Sequence, residues 1–124
     1  MRSLMYHYVR EFDLNFPYSK HKEIKDFANE IKKLIHLGYE FKNVTEAIKA
    51  LQRDEDTSRL ILLTFDDGLK DHLDAAKILN DLGIQKGTFY IPTQPYLKDQ
   101  ILHVHKAHLI LSRRGENSLD LLFE

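Results

Sequence analysis

The chain has 124 residues, of which 43% are hydrophobic and 30% charged, a composition typical of a folded globular protein and not of a disordered one. This length suits one domain or part of one and leaves little room for two. The formal net charge of −1 gives no general attraction to nucleic acid or anionic lipid, and the absence of cysteine excludes disulfides and thiolate catalysis.

The distribution of apolar residues indicates whether the sequence carries a secretory signal or a membrane span. The N-terminus becomes polar after a few residues and lacks the apolar run of a secretory signal. The longest apolar stretch, residues 60–65, is far shorter than the roughly 18 residues that a membrane span requires. We therefore expect a cytoplasmic protein with no membrane span.

The first third of the chain predicts a strand, a loop and a helix. Residues 4–9 are apolar and aromatic, which predicts a short strand with His7 near its carboxyl end. Residues 11–19 are rich in turn-forming types and predict a loop leading to a helix N-cap at Ser19. Apolar residues then recur every three or four positions up to residue 35, which predicts an amphipathic helix closed by Gly38.

The middle of the chain predicts a short helix followed by a βαβ unit. The helix covers residues 45–52, and a polar loop follows at 53–59. Residues 60–65 are apolar without alternation, as in a strand that is buried on both faces of a parallel sheet. A helix from about Leu69, with Leu73 on its apolar face, ends at Gly83, and residues 88–91 form a second strand parallel to the first.

The last third is less regular. Prolines at 92 and 95 interrupt the chain, residues 102–112 predict a helix, and residues 113–117 predict a loop. Apolar residues at 119, 122 and 123 begin a further face before the sequence ends at Glu124. We expect that pattern to be cut short.

Two adjacent carboxylates, Asp66 and Asp67, directly follow the predicted core strand, and Gly68 permits a sharp turn. The carboxyl ends of parallel strands are where α/β folds build their sites. Adjacent carboxylates repel unless a cation lies beside them, which favours a metal ion on one and general-base duty for the other. From the residues alone, an alternative of similar weight is that both acids only cap the following helix, whose N-terminus favours negative charge.

The sequence TFDDG at 64–68, followed by KGTFY at 86–90, resembles the first motif and the next strand of the polysaccharide deacetylases. These proteins form carbohydrate esterase family four and share the nodulation-type deacetylase homology domain, and LMYHYV at 4–9 agrees with the first strand of many members. The resemblance implies an α/β fold that is the N-terminal part of a distorted (β/α) barrel, too short to close, in one partial domain over residues 1–124. It also implies hydrolytic removal of acetyl groups from an acetylated sugar or polysaccharide.

The resemblance further implies roles for the acidic pair. The residue matching Asp66 acts as general base on a metal-bound water, and the one matching Asp67 binds a divalent metal, usually zinc, together with two histidines of a second motif. That second motif, His-Ser/Thr-x-x-His, does not occur in the sequence. We therefore expect the metal histidines beyond Glu124, and we expect this chain alone to be weakly active or inactive.

Four histidines are candidates for further site residues. His7 would line the pocket if its strand ends on the catalytic face. His103, His105 and His108 form a cluster in which the outer two have a zinc-like spacing, but the segment resembles an inserted helix of a family branch linked to surface-sugar assembly. Ligation by the cluster is therefore the less favoured interpretation. The other histidines, His72 among them, are assigned to the surface or to helix caps.

The length leaves alternatives to an incomplete deacetylase. A full barrel needs roughly 250 residues, and only about three strands are predicted here, so unpaired strand edges should promote association with another chain. One alternative is a non-catalytic remnant or interaction module that keeps the acidic turn, which consists of Asp66, Asp67 and Gly68. Another is a receiver-like signalling domain with a magnesium-binding acidic pair, although it would require a strand-end lysine that the sequence does not clearly offer. The expected partner is an acetylated carbohydrate, with no nucleic acid and no membrane.

Overall fold

A computed structural model of the chain describes residues 1–115. Its strands are β1 (Arg2–Tyr6), β2 (Val9–Arg10), β3 (Lys22–Glu23), β4 (Glu40–Lys42), β5 (Leu60–Phe65) and β6 (Gly87–Phe89). Its helices are α1 (Ile24–His36), α2 (Val44–Gln52), α3 (His72–Asp81), α4 (Gln94–Lys98) and α5 (His103–Arg114). The strands pair in parallel and the described residues close no barrel, so the predicted class, a partial α/β fold, is confirmed.

The chain divides into two compact units. The first contains Met1–Arg10 and Lys22–Ile91 and holds all six strands with α1, α2 and α3. The second contains Glu11–His21 and the chain from Pro92 onward, with α4 and α5. Within residues 1–115, none of the helices combines the length and apolar character of a membrane span.

The main sheet of the first unit is centred on β5. One side of β5 pairs with β1 from Ile61 to Phe65, and the other side pairs with β4 at its start and with β6 at its end. Strands β2 and β3 form a separate parallel pair. Because all pairings in the main sheet are parallel, the carboxyl ends of β1, β5 and β6 lie next to one another at one edge. The acidic turn starts at this edge.

The core of the first unit lies against one face of β5. Ile61, Leu63 and Phe65 are fully buried and form a single cluster with residues of β1, β2, α1, α3 and the loop after α3: Tyr6, Val9, Phe27, Ile31, Ala75, Leu79 and Ile84. Leu62 and Thr64, which alternate with them, remain partly exposed. The predicted burial of both faces is therefore wrong, because the face that carries residues 62 and 64 is not fully covered by the described residues.

The amphipathic helix of the first third is confirmed as α1, and Gly38 follows it with φ +75°, as the left-handed C-terminal turn requires. The predicted cap at Ser19 is wrong. The helix begins at Ile24 because Lys22 and Glu23 pair with β2 first, and Glu23 makes no side-chain capping bond. The predicted strand at residues 4–9 likewise divides into β1 and β2, with His7 and Tyr8 between them.

Helix α2 is confirmed with a complete capping box. The Asn43 side chain accepts a hydrogen bond from the Glu46 N–H at 2.9 Å, and the Glu46 carboxylate accepts one from the Asn43 N–H at 3.0 Å. Lys86, just before β6, donates to the same carboxylate at 2.5 Å. The cap therefore also fastens the start of α2 to the segment entering β6.

Helix α3 begins at His72, about three residues later than predicted, because residues 69–71 form turns. This start places His72, Ala75 and Leu79 on the buried face and leaves Leu73 62% exposed, so the predicted role of Leu73 is wrong. Gly83 follows the helix with φ +74°, as predicted. The following strand is confirmed as parallel but is shorter, at Gly87–Phe89.

The second unit contains one helix that the sequence did not predict, α4, with a proline in its first turn. Helix α5 confirms the predicted helix but extends to Arg114, so the predicted loop is wrong at residues 113 and 114. Gly115 ends it with φ +75°. The remaining loop residues and the apolar face predicted at 119–123 lie outside the described residues.

Candidate functional site

The acidic pair lies at the carboxyl edge of the sheet, between β1 and β6. The Asp66 N–H donates to the Tyr6 carbonyl oxygen at 3.0 Å, and the Tyr90 N–H donates to the Phe65 carbonyl oxygen at 2.8 Å. These two bonds extend the ladders on both sides of β5 by one residue. Asp66 therefore starts from a rigid position, and the chain turns away only after it.

The turn itself uses a sparsely populated backbone conformation. Asp67 has φ +78° and Gly68 has φ +60°, so two successive residues are in the left-handed region. Glycine adopts this region freely, whereas a residue with a Cβ costs about 1 to 2 kcal/mol there, and aspartate is among the types that tolerate it. Such backbone strain concentrates at binding and catalytic sites.

His7 lies beside Asp67. Its Nε2 is 3.9 Å from Asp67 Oδ2, and both side chains are partly open to solvent. His7 follows β1 directly and Asp67 follows β5 by one residue, so the parallel pairing of these strands brings the two groups to the same edge. The structure thus brings together three of the predicted candidates: Asp66, Asp67 and His7.

One oxygen of Asp66 is buried without a hydrogen bond. Among the described residues, no donor reaches Asp66 Oδ1. A buried polar atom without a partner costs roughly 1 to 3 kcal/mol and is rare in folded proteins outside functional sites. This oxygen is therefore an acceptor held in place with no structural bond to satisfy it.

From the sequence, neither Tyr8 nor Arg10 was predicted to be a site residue, yet both lie near the acidic turn. Arg10 donates to Asp71 Oδ2 from Nε at 2.6 Å and lies 4.5 Å from the centre of the Tyr8 ring. Burial raises the pKa of Tyr8, Arg10 opposes that rise, and Asp67 and Asp71 add to it. The phenol thus stays protonated at neutral pH, next to the negative charge of Asp67. The sequence pattern after β1 did not indicate that Tyr8 and Arg10 would lie near the acidic turn.

His72 is not on the surface as predicted, since only 4% of it is exposed. Its Nε2 lies 2.7 Å from the His7 carbonyl oxygen, and its ring packs against Phe65 at 5.4 Å between centroids. The signal that could have found it is its spacing of three and seven residues from Ala75 and Leu79 on the buried face of α3.

The described residues only partly fit a zinc ion. Carboxylate and imidazole are zinc-ligand types, and the turn offers one of each in Asp67 and His7. A catalytic zinc site uses three protein ligands, and within residues 1–115 no group of three or more such side chains comes together. The donor types therefore fit, but the donor number falls short.

The histidine cluster belongs to the second unit. His103, His105 and His108 all lie in α5, and the rings of His105 and His108 are 6.4 Å apart between centroids in an edge-to-face arrangement. The described part of the chain adds no third ligand that would complete a metal site with them. A cavity of about 580 Å³ in the same unit is lined by Phe16, Leu109, Ile110, Arg113 and Arg114, and none of these is a candidate residue.

Comparison with known proteins identifies solved structures with a similar fold. No protein-family model and no curated protein matches the sequence. Among solved structures, the Streptococcus pyogenes deacetylase PplD in complex with acetate matches with a TM-score of 0.66 and 19% identity, over 89% of this chain and 51% of PplD. BA0330 of Bacillus anthracis, provisionally assigned as a polysaccharide deacetylase, matches with a TM-score of 0.58 and 21% identity, over 75% of this chain and 29% of BA0330.

These matches confirm the predicted resemblance at the level of the fold. The fold of the chain is similar to part of the fold of these two proteins. It spans about half the length of PplD and less than a third of BA0330.

Proposed function

We propose that the chain carries the general base and one metal ligand of a metal-dependent deacetylase that acts on an acetylated sugar or polysaccharide. The single observation that supports this most is the buried, unpartnered Oδ1 of Asp66, at the carboxyl end of the central strand. A helix-capping role does not require such an oxygen, since a cap exists to form hydrogen bonds. A general base does require a free acceptor.

Asp66 and Asp67 divide the work in this proposal. Asp66 takes the proton of the attacking water, and the ladder bonds on either side of β5 hold its backbone in place. Asp67, with His7 beside it, would hold a divalent metal such as zinc. When bound, that metal would polarise the acetyl carbonyl and acidify water. Further ligands would have to come from outside the described residues.

Burial raises the pKa of the Tyr8 phenol, and Asp67 and Asp71 add to the rise, so this group near the acidic turn is neutral at pH 7. Sugars are recognised through hydroxyl groups and amides, which neutral polar side chains can orient. PplD, which shares the fold, was solved with acetate, the product of deacetylation. These points support an acetylated carbohydrate as the substrate class.

A second candidate is a non-catalytic module that keeps the acidic turn. It is favoured by the shortfall in ligands, because residues 1–115 bring no third donor to Asp67 and His7. The two candidates differ in whether the turn binds a metal at all. A metal titration therefore separates them.

The test is a calorimetric zinc titration of the full chain beside Asp67→Asn. We expect weak but measurable binding in the wild type, because Asp67 and His7 alone fall short of three ligands, and at least about tenfold weaker binding in the variant. Asp54→Asn is the matched control, because Asp54 also has a positive φ, at +53°, and lies in an exposed turn. It removes the same charge and should leave the affinity unchanged.

Two results would overturn this assignment. Equal weakening by Asp67→Asn and Asp54→Asn would mean that zinc responds only to net charge. Loss of binding in a His105→Ala/His108→Ala variant, with Asp67→Asn unaffected, would place the metal in the second unit. No binding in the wild type would favour the non-catalytic module, and acetate release from acetylated oligosaccharides should then also be undetectable.

A further inference from the structure

The buried histidine of α3 is joined to the segment that carries His7. His72 Nε2 lies 2.7 Å from the His7 carbonyl oxygen, which can only accept a hydrogen bond. Nε2 therefore carries the hydrogen and donates it. The bond connects the first residue of α3 to His7, in the two-residue segment between β1 and β2.

A second contact joins the same two segments. Arg10, three residues after His7, pairs with Asp71, the residue before His72, at 2.5 Å between the Arg10 Nη2 and the Asp71 Oδ2. The Tyr8 carbonyl oxygen, between them, accepts a hydrogen bond from the Lys22 N–H at 2.9 Å. The backbone from residue 7 to residue 10 is thus anchored on both sides.

The acidic turn is anchored to the same point. Asp67 and His72 are five residues apart in one short segment that contains the left-handed turn and the first residue of α3. The 3.9 Å distance between His7 Nε2 and Asp67 Oδ2 therefore depends on how the His7 segment and the α3 start are held together. The hydrogen bond from His72 joins these two segments directly.

The surroundings of the His72 ring suit this role. The ring contacts Phe65 of β5 at 5.4 Å and Phe89 of β6 at 6.1 Å between centroids. Its Nδ1 is buried and, among the described residues, has no hydrogen-bond partner. A residue that served only to fill this aromatic pocket would do so at lower cost as phenylalanine. The polar ring is explained by its one bond to His7.

We propose that His72 is a positioning residue that holds His7 in register with Asp67 through the bond from its Nε2 to the His7 carbonyl oxygen. This inference rests on the proposed function of the acidic turn and adds to it a residue that touches neither metal nor substrate. It differs from a purely structural role in one respect. The bond, and not the filling of the pocket, sets the geometry of the site.

The experiment compares His72→Phe, which keeps the ring and removes the donor, with His72→Gln, whose amide nitrogen offers a donor at similar reach. Nitrogen-15 NMR of the full chain should show the Nε2–H tautomer for His72. We expect His72→Phe to move the amide signals of His7 and Asp67 with little loss of thermal stability, and His72→Gln to restore them. Zinc affinity should fall about tenfold in His72→Phe and recover in His72→Gln.

Unchanged His7 and Asp67 signals in His72→Phe would overturn the proposal, and so would equal effects of the two substitutions. A fall in melting temperature without those signal changes would also overturn it, since that result marks a packing role. If the wild-type chain binds no zinc, the metal assignment of the acidic turn fails, and the amide signals still decide the role of His72.

Discussion

At the scale of single residues, the acidic turn contains a buried oxygen without a hydrogen bond, which lowers the stability of the folded chain. Asp66 Oδ1 is buried beside β5, and within residues 1–115 no donor reaches it. Natural proteins retain such groups where activity requires them, and removing them commonly increases stability. Substitution of Asp66 should therefore increase stability while it removes the proposed general base.

Asp66→Asn should raise the free energy of unfolding by about 1 kcal/mol, because a neutral amide replaces a charged group of which one oxygen is buried without a hydrogen bond. Urea unfolding at pH 7 measures the change. Asp54→Asn, in an exposed turn, is the control and should stay within about 0.5 kcal/mol of the wild type. A loss of stability in Asp66→Asn would show that the carboxylate makes a stabilising interaction, and the case for a free base would fall.

At the scale of elements, α2 is the most completely specified helix, because its cap and a cross-contact use the same carboxylate. The Lys86 ammonium and the Asn43 N–H both donate to Glu46, and the hydrogen bond from Lys86 is the larger cause that lowers the pKa of that carboxyl below its ordinary value of 4.5. A lowered pKa in the folded state means that the unfolded chain binds more protons. Stability from Glu46 is therefore present above about pH 4.5 and is lost as the pH falls through the lowered pKa.

Glu46→Gln should accordingly destabilise the chain at neutral pH and have a smaller effect in acid. The measurement is the urea midpoint of wild type and variant between pH 7 and pH 3, and the difference should be constant at the upper end and shrink below about pH 4.5. Introducing Lys86→Met into both proteins should remove most of this pH dependence. A difference that is the same at both ends of the range would mean that the Glu46 charge contributes nothing.

The same elements show what the sequence could and could not predict. Helices α1 and α2 and strand β5 were predictable because each is specified locally, by a 3.6-residue apolar period, a capping box or an apolar run. Strands β3 and β4 were not, since pieces of two or three residues exist only through pairing with a distant strand.

The features of the candidate site likewise divide into those that the sequence could predict and those that it could not. Asp66 and Asp67 were predictable because they follow a strong strand signal within a specific motif. The periodicity of α3 could have indicated that His72 is buried, but it carries no information about the backbone oxygen 65 positions away that His72 contacts. The left-handed φ of Asp67 was likewise not predictable, because glycine is the residue type whose presence indicates such a backbone conformation.

At the scale of the whole molecule, the sheet is left with strands that have neighbours on one side only. In the described part of the chain, β1 pairs with β5 alone, and β6 also pairs only with β5. Unpaired strand edges expose backbone donors and acceptors that a second chain can use, and natural proteins block them with charges, lysine above all. Met5, in the edge strand β1, is 61% exposed and carries no such block.

We therefore expect the purified chain to self-associate with increasing concentration, and Met5→Lys to weaken that association about tenfold. Sedimentation velocity over a concentration series measures it. Leu14→Lys is the matched control, because it makes the same kind of change at a residue that is 84% exposed but lies in no strand. If both substitutions weaken association equally, added charge and not the β1 edge is responsible. If the chain stays monomeric throughout, the edge of β1 is protected, and the exposed strand does not act as a docking edge.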